Sequence, residues 1–155
     1  LDTLMTEETT DADIHSISTT GQQAVQRSVP LSGRPPVQLY LSCDHDALSQ
    51  YQVIVRQNIE LFEARQEDVE SNAQGRNNPI VLGQVGIRCR HCCFVSPSER
   101  TRGATYYPSK LTGLYQAAQN LAVSHLMGPD GCPHVPQNVR ETLEKLREQK
   151  SAAGG

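Results

Sequence analysis

The chain has 155 residues, 37% hydrophobic and 20% charged, which is the length and composition of one globular domain. No run approaches the roughly 20 apolar residues that a membrane-spanning helix needs, and a formal net charge of −3 argues against a strongly basic nucleic-acid binder. Aromatic residues are scarce, with no Trp and two Phe, so any core has to be built from Leu, Val, Ile, Ala and Tyr.

Residues 1 to 36 carry no apolar periodicity and many Thr, Ser, Asp and Glu, closing on Ser32-Gly33-Arg34-Pro35-Pro36. Such a composition cannot bury enough surface to offset the ordering of its backbone, which predicts a disordered tail or linker. Residues 37 to 150 are expected to form one domain.

Val37 to Leu41 reads as a short extended piece. Leu48, Tyr51, Val55, Ile59 and Phe62, with Ile54 and Leu61 beside them, recur at spacings of three and four and predict a long amphipathic helix. Asp46 or Ser49 is placed to cap it, Ser49 with Gln52 in capping-box spacing, and Gly75 to end it. Asp44, Asp46, Glu60, Glu63, Glu67, Asp68 and Glu70, against Arg56 and Arg65, would give that helix an acidic face.

Gly75 to Pro79 is turn chemistry. Ile80-Val81-Leu82 with Val85 and Ile87, punctuated by Gly83 and Gly86, predicts a strand with a bend, and Ala104 to Tyr107 a second one stopped by Pro108. Ser109 to Met127 reads as an amphipathic helix with Leu111, Leu114, Ala118, Leu121 and His125 on one stripe, ended by Gly128-Pro129-Asp130-Gly131. From Pro136 a last helix follows, with Val139, Leu143 and Leu146 on its apolar face and Ser151 to Gly155 as a frayed end. The fold class expected is α+β: a long N-terminal helix, a short antiparallel sheet and two further helices. The long helix occupies 37 to 74, a cysteine-bearing module 75 to 134 and the terminal helix 135 to 150.

The cysteines carry the chemistry. There are five, Cys92 and Cys93 are adjacent, and no basic-then-apolar secretory signal opens the chain. Reduced thiols, some on a metal, fit this better than a disulfide framework. They also point to an intracellular setting, nuclear or cytoplasmic. Leu1 is expected to mark a fragment, with any targeting signal outside it.

Cys89-Arg90-His91-Cys92 is a two-residue-gap pair directly after a strand, and such a turn presents two sulfurs to one ion. His125 ends an apolar stripe and faces the interior, and Cys132 returns past the Gly-Pro-Asp-Gly turn. The ligand set expected is Cys89, Cys92, His125 and Cys132 around a structural Zn²⁺. His134 is the alternative nitrogen ligand and Cys93 the alternative to Cys92. His91 is expected to face solvent, and Cys43 to be a thiol outside the site. Four ligands with three thiolates leave no open position for water, so a hydrolytic metal centre is not expected.

Two resemblances follow from these residues. The order Cys-x2-Cys, a long gap and His-x6-Cys, carried by Cys89, Cys92, His125 and Cys132, loosely resembles the zinc site of BIR domains, the baculoviral inhibitor-of-apoptosis repeats. It implies a similar local zinc geometry and, with no Trp in the chain, none of that family's peptide groove. The stretch from Leu48 to Pro136 resembles a family of zinc-finger-like proteins of unknown function abundant in diatom genomes. The resemblance lies in Ile59 to Ala64, Gly83 to Cys92, Arg102 to Pro108 and Leu114 to Leu121, and implies a domain boundary without an activity.

Charge is uneven. Between Gly75 and His134, Arg76, Arg88, Arg90, Arg100, Arg102 and Lys110 face only Glu99 and Asp130. Arg88, Arg90, Arg100, Arg102 and Lys110 are therefore candidate contacts to a partner, with Tyr106, Tyr107 and Tyr115 available for stacking on bases. The function expected is a non-catalytic zinc-binding interaction module that takes a protein partner or, alternatively, DNA or RNA, with no membrane role and with self-association as one outcome. Phosphate-loop and dinucleotide fingerprints are absent, and a cysteine-dependent enzyme built on Cys93 is the residual reading.

Overall fold

The computed structural model describes residues 34–71 and 79–153. The tail expected over residues 1 to 36 therefore lies outside the described residues except for its last three, as do Gly75 and most of the turn it begins. The frame of the domain is an antiparallel sheet whose four strands neighbour each other in chain order: β1 (Val37–Gln38), β2 (Ile59–Glu63), β3 (Val85–Cys89) and β4 (Thr105–Tyr106). Between and after them come α1 (Asp44–Ala47), α2 (Gln50–Gln57), α3 (Gln66–Ser71), α4 (Leu114–Leu121) and α5 (Gln137–Ala153). Helices and a small antiparallel sheet are mixed, in keeping with the α+β class expected.

The long helix expected from Leu48 onward does not form. Its start is where it was placed. The Ser49 hydroxyl accepts from Gln52 N at 3.2 Å and the Gln52 side chain accepts from Ser49 N at 3.0 Å. The helix stops after two turns, where the Asn58 side chain donates to the Ile54 carbonyl at 2.7 Å and competes with its further growth. Ile59-Glu60-Leu61-Phe62-Glu63, rich in branched and aromatic residues, then runs as a strand with both edges paired, Val37 opposite Leu61 on one side and Ile87 opposite Leu61 on the other. The spacing that looked helical was the sum of a short helix and a strand, each burying its own residues.

The acidic face dissolves with the helix. Asp44 pairs with Arg56 at 3.2 Å, Glu60 with Arg88 at 2.7 Å and Glu63 with Arg34 at 3.6 Å, while the Asp68 carboxylate accepts from Arg65 N at 2.8 Å at the start of α3. These acids neutralise or cap neighbouring elements and do not form one docking stripe.

Two smaller differences concern strand and helix ends. Ile80 to Leu82 stay outside β3, because Gly83 adopts φ 85° and turns the chain so that Gly83 N donates to Ala64 O and Ala64 N to Gln84 O, both at 2.8 Å. Ile80 is buried there while Val81 and Leu82 are exposed. At the other end α5 continues to Ala153, through part of the segment expected to fray.

Residues opposed across an antiparallel pair share a face. Ile59, Leu61, Ile87, Cys89 and Tyr106 thus form one face, which joins Tyr51 and Val55 of α2, Ala118 and Leu121 of α4 and Leu143 of α5 in a single apolar core. The other face carries the Glu60–Arg88 pair, with the Arg88 guanidinium 4.5 Å from the centre of the Phe62 ring, and Tyr107 packed edge-on against Phe62 at 5.6 Å. Gly86 lets Tyr107 approach, since a Cβ at that position would sit 2.7 Å from a Tyr107 ring carbon.

Ile87 is wholly buried at the centre of this arrangement, and Ile87→Ala is expected to cost about 2–5 kcal/mol in urea unfolding. In the same samples the amides of Leu61 and Phe62 should exchange as slowly as those of the core helices, which a frayed helix end would not allow.

Candidate metal centre

The structure brings Cys89, Cys92, His125 and Cys132 together. Their ligand atoms all lie within 4.8 Å of one another, and all four residues are buried. Each is delivered by a different local device.

Cys89 is the last residue of β3, and its N–H donates to Ala104 O at 3.0 Å, so the sheet itself aims the first sulfur. Cys92 lies in the tight loop that follows, closed by a bond from Val95 N to Cys92 O at 3.0 Å. His125 sits beyond α4, where the helix widens over Ala122–Leu126 and Met127 N donates to Ala122 O, five residues back, at 3.0 Å. Such π-helical turns recur at functional sites, and here one carries the histidine at the end of the apolar stripe into the core. Cys132 is pinned by its own N–H on His125 O at 2.7 Å. Gly131 makes that closeness possible, because a Cβ there would lie 2.6 Å from His125 O.

Outer contacts orient the histidine. Nε2 is 3.4 Å from Cys92 Sγ. On the far side of the ring, Nδ1 is 3.1 Å from Thr101 Oγ1 and 3.3 Å from Arg102 O. A proton on Nδ1 donated to the Arg102 carbonyl leaves the Nε2 lone pair directed at the sulfurs, the arrangement found around metal-binding histidines. Arg102 O reaches the ring because Gly103 takes φ 82° and packs on the widened turn; a Cβ on Gly103 would lie 2.3 Å from Ser124 Oγ. Arg140 of α5 clamps the last ligand loop, donating to Gly128 O at 3.2 Å and to Cys132 O. Thr101, Gly103 and Arg140 left no mark in the sequence pattern, since their roles depend on carbonyls brought near by folding.

The thiols are electrostatically unequal. The hydrogen bond from Cys92 lowers Cys89 to about 4, helped by His125 and by the His91 amide, which is 3.4 Å from the sulfur. Giving that bond, together with burial, pushes Cys92 up, and burial pushes Cys132 up. One thiolate is therefore present at neutral pH, and two further thiol protons must leave before three sulfurs can bind a cation. Three sulfurs and one nitrogen, enclosed by the core, can hold one metal ion with no side left open.

The other candidates fall elsewhere. His134 is exposed and stacks edge-on against Phe94 at 4.9 Å. His91 is half-buried, contrary to expectation, with Nε2 2.6 Å from Asn58 Oδ1; the buried Asn58 side chain gives it a partner inside. Cys93 turns away, with Sγ on Arg90 O at 3.3 Å. Cys43 is an exposed free thiol. Arg88 is held by Glu60, and Arg100 donates to Val95 O at 2.9 Å and to Cys93 O at 3.0 Å, so both brace the sheet and the cysteine loop. Arg90, Arg102 and Lys110 are exposed. No protein-family model matches the chain, and neither the curated proteins nor the solved structures include a significant match.

Because the Cys92 and Cys132 thiols are raised and Cys89 is lowered, binding of one divalent ion should displace two thiol protons, and apparent affinity should rise about a hundredfold from pH 7 to pH 8. Calorimetry in buffers of different ionisation enthalpy reads both quantities. Gly103→Ala, which strains the turn and displaces Arg102 O, is expected to cost about 2–4 kcal/mol in stability and about 10–100-fold in metal affinity.

Proposed function

We propose that this chain is a non-catalytic zinc-binding module whose metal holds together a surface for a protein partner. The observation that carries the reading is the closed, buried Cys3His cluster. Thiolate and imidazole donors in a set of four are those zinc favours, and a tetrahedron with Zn–S near 2.3 Å and Zn–N near 2.0–2.1 Å has S···N edges of about 3.6 Å, close to the 3.4 Å between Cys92 Sγ and His125 Nε2. The ligand order, similar to that of BIR domains, supports the same local geometry.

A structural role follows from where the ligands sit. An ion there ties the end of β3, the loop after it, the turn after α4 and the loop before α5, so its binding energy is folding energy. The donor set has no vacant position for water. Cys93, the residual nucleophile, is pushed up by burial and by Glu60 beside it, which lowers its thiolate fraction and supports the non-catalytic reading. Free thiols in the cluster are consistent with a reducing, intracellular compartment.

The surface around the ligand loops carries Phe94, 73% exposed, together with exposed Arg90 and Arg102. Engagement of Arg88 and Arg100 inside the domain leaves too small a free cationic set for a phosphate-tracking patch and favours a protein partner over nucleic acid.

Purified chain should contain one zinc per molecule, unfold at lower urea on chelation, and lose zinc in Cys89→Ser and Cys132→Ser; an unfolding midpoint that chelation leaves unchanged overturns the structural zinc reading. A partner captured by the zinc-loaded chain should be lost with Phe94→Asp and withstand nuclease. Binding to mixed DNA or RNA with a log–log salt slope of about −2.7, the value for phosphate contacts from Arg90, Arg102 and Lys110, would replace the protein partner by nucleic acid.

A further inference from the structure

Two clefts flank α2. In the apolar one, between α2 and α4, the single charged residue, Arg56, is paired with Asp44. The other lies at the end of the sheet, where α2 stops, β3 ends and α5 starts, and has a volume of about 510 Å³. Its lining is polar: Gln38 of β1, Gln57 and Asn58 where α2 runs into β2, Arg90 on the loop after Cys89, and Asn138 and Thr142 on α5. Among the described residues lining it, Arg90 is the one that carries a charge.

The charge of Arg90 is unused. Arg34, Arg56 and Arg88 pair with acids, and Arg100 and Arg140 donate to loop carbonyls. Arg90 is exposed, and its guanidinium makes one hydrogen bond among the described residues, from Nη1 to the Gln57 carbonyl at 3.1 Å. The Nε and Nη2 side of the fork, which takes a carboxylate through two parallel bonds, is left open.

The same carbonyl places a second recognition element beside it. Gln38 Nε2 donates to Gln57 O at 2.7 Å, so the Gln38 amide and the Arg90 guanidinium meet on one oxygen. Gln38 belongs to β1, the outermost strand on that side of the sheet. Leu39 N bonds to Ile59 O at 2.9 Å, and because backbone groups alternate sides along a strand, the Gln38 N–H and C=O point to the open edge. An open edge takes an extended peptide by main-chain pairing, while a pocket beside it selects the side chain. Here the side chain selected is a carboxylate, and the Gln57 and Asn138 amides offer donors and acceptors to the peptide groups next to it.

We propose that this cleft receives an extended acidic segment of the protein partner, with its main chain on the β1 edge at Gln38 and one Asp or Glu carboxylate on Arg90. The assignment rests on the reading of the chain as a protein-interaction module and adds the partner's chemistry to it.

An NMR titration of the full, zinc-loaded chain with blocked hexapeptides alternating Thr with Glu, Gln or Lys tests it. The Glu peptide should bind saturably and about tenfold tighter than the Gln peptide, shift the Arg90 Nε–H and slow the exchange of the Gln38 amide, with the Lys peptide weakest. Arg90→Gln should bring the Glu peptide down to the affinity of the Gln peptide. Asn138→Asp puts a like charge on the lining in the first turn of α5, where an acid favours the helix. It should weaken the Glu peptide about tenfold without lowering the melting temperature, which keeps the test readable if Arg90→Gln disturbs the cysteine loop. Equal binding of the Glu and Gln peptides, an unmoved Gln38 amide, or indifference to both substitutions would overturn the proposal. So would tighter binding of inorganic phosphate or oligouridylate at the same residues, which assigns Arg90 to a small anion or to RNA. Metal content of the same samples separates the two readings: a zinc-loaded chain that ignores the Glu peptide overturns this assignment alone, and a folded chain without zinc overturns the module it rests on.

Discussion

Convergence of three sulfurs and one imidazole nitrogen within 4.8 Å is the constraint on which the rest of this domain depends. Buried thiolates cannot share so small a volume without compensation, because each would carry charge into a medium that solvates it poorly. The hydrogen bond from Cys92 favours negative charge on Cys89, so one sulfur is the readiest to carry it. A cation held there would meet it more completely, and the cluster is built for closeness: the sheet aims Cys89, the widened turn aims His125, and two carbonyl-directed clamps hold the loops between.

Glycines and arginines supply the closeness that the cluster needs. Gly103 and Gly131 stand where a Cβ would meet atoms at 2.3 and 2.6 Å, so backbone segments approach each other within hydrogen-bond range of the ligands. Arg100 and Arg140 then saturate the carbonyls of the cysteine loops. Their positive charge is spent on the architecture, which is why a count of basic residues overstates what the surface offers to a polyanion.

The same apolar core serves both ends of the molecule. Ile59, Ile87 and Leu121 lie between the sheet and α4, with His125 and Cys132 at one edge and the cleft between α2 and α4 at another. With few aromatic residues available, the core is assembled from small and branched side chains, and α4 presents Ala117 and Ala118 inward.

Local chemistry made several features legible from the residues alone. The Ser49–Gln52 box, the stop at Pro108, the helix after Pro136 with Leu143 inward, and the pairs Cys89/Cys92 and His125/Cys132 depend on spacings of a few residues, and the two pairs meet in one cluster as expected. The span from Cys89 to Cys92 is one turn, and His125 ends a stripe whose period is the helix's own. Other features were decided only by the tertiary structure. Ile59, Leu61 and Phe62 satisfy a helical period by arithmetic, yet β1 and β3 offer both edges of a sheet to that segment, and pairing with them outweighs a weak helical preference. Whether Arg88 and Arg100 face a partner or the interior, and which groups hold the far side of His125, depend on residues distant in the chain whose meeting no local pattern encodes.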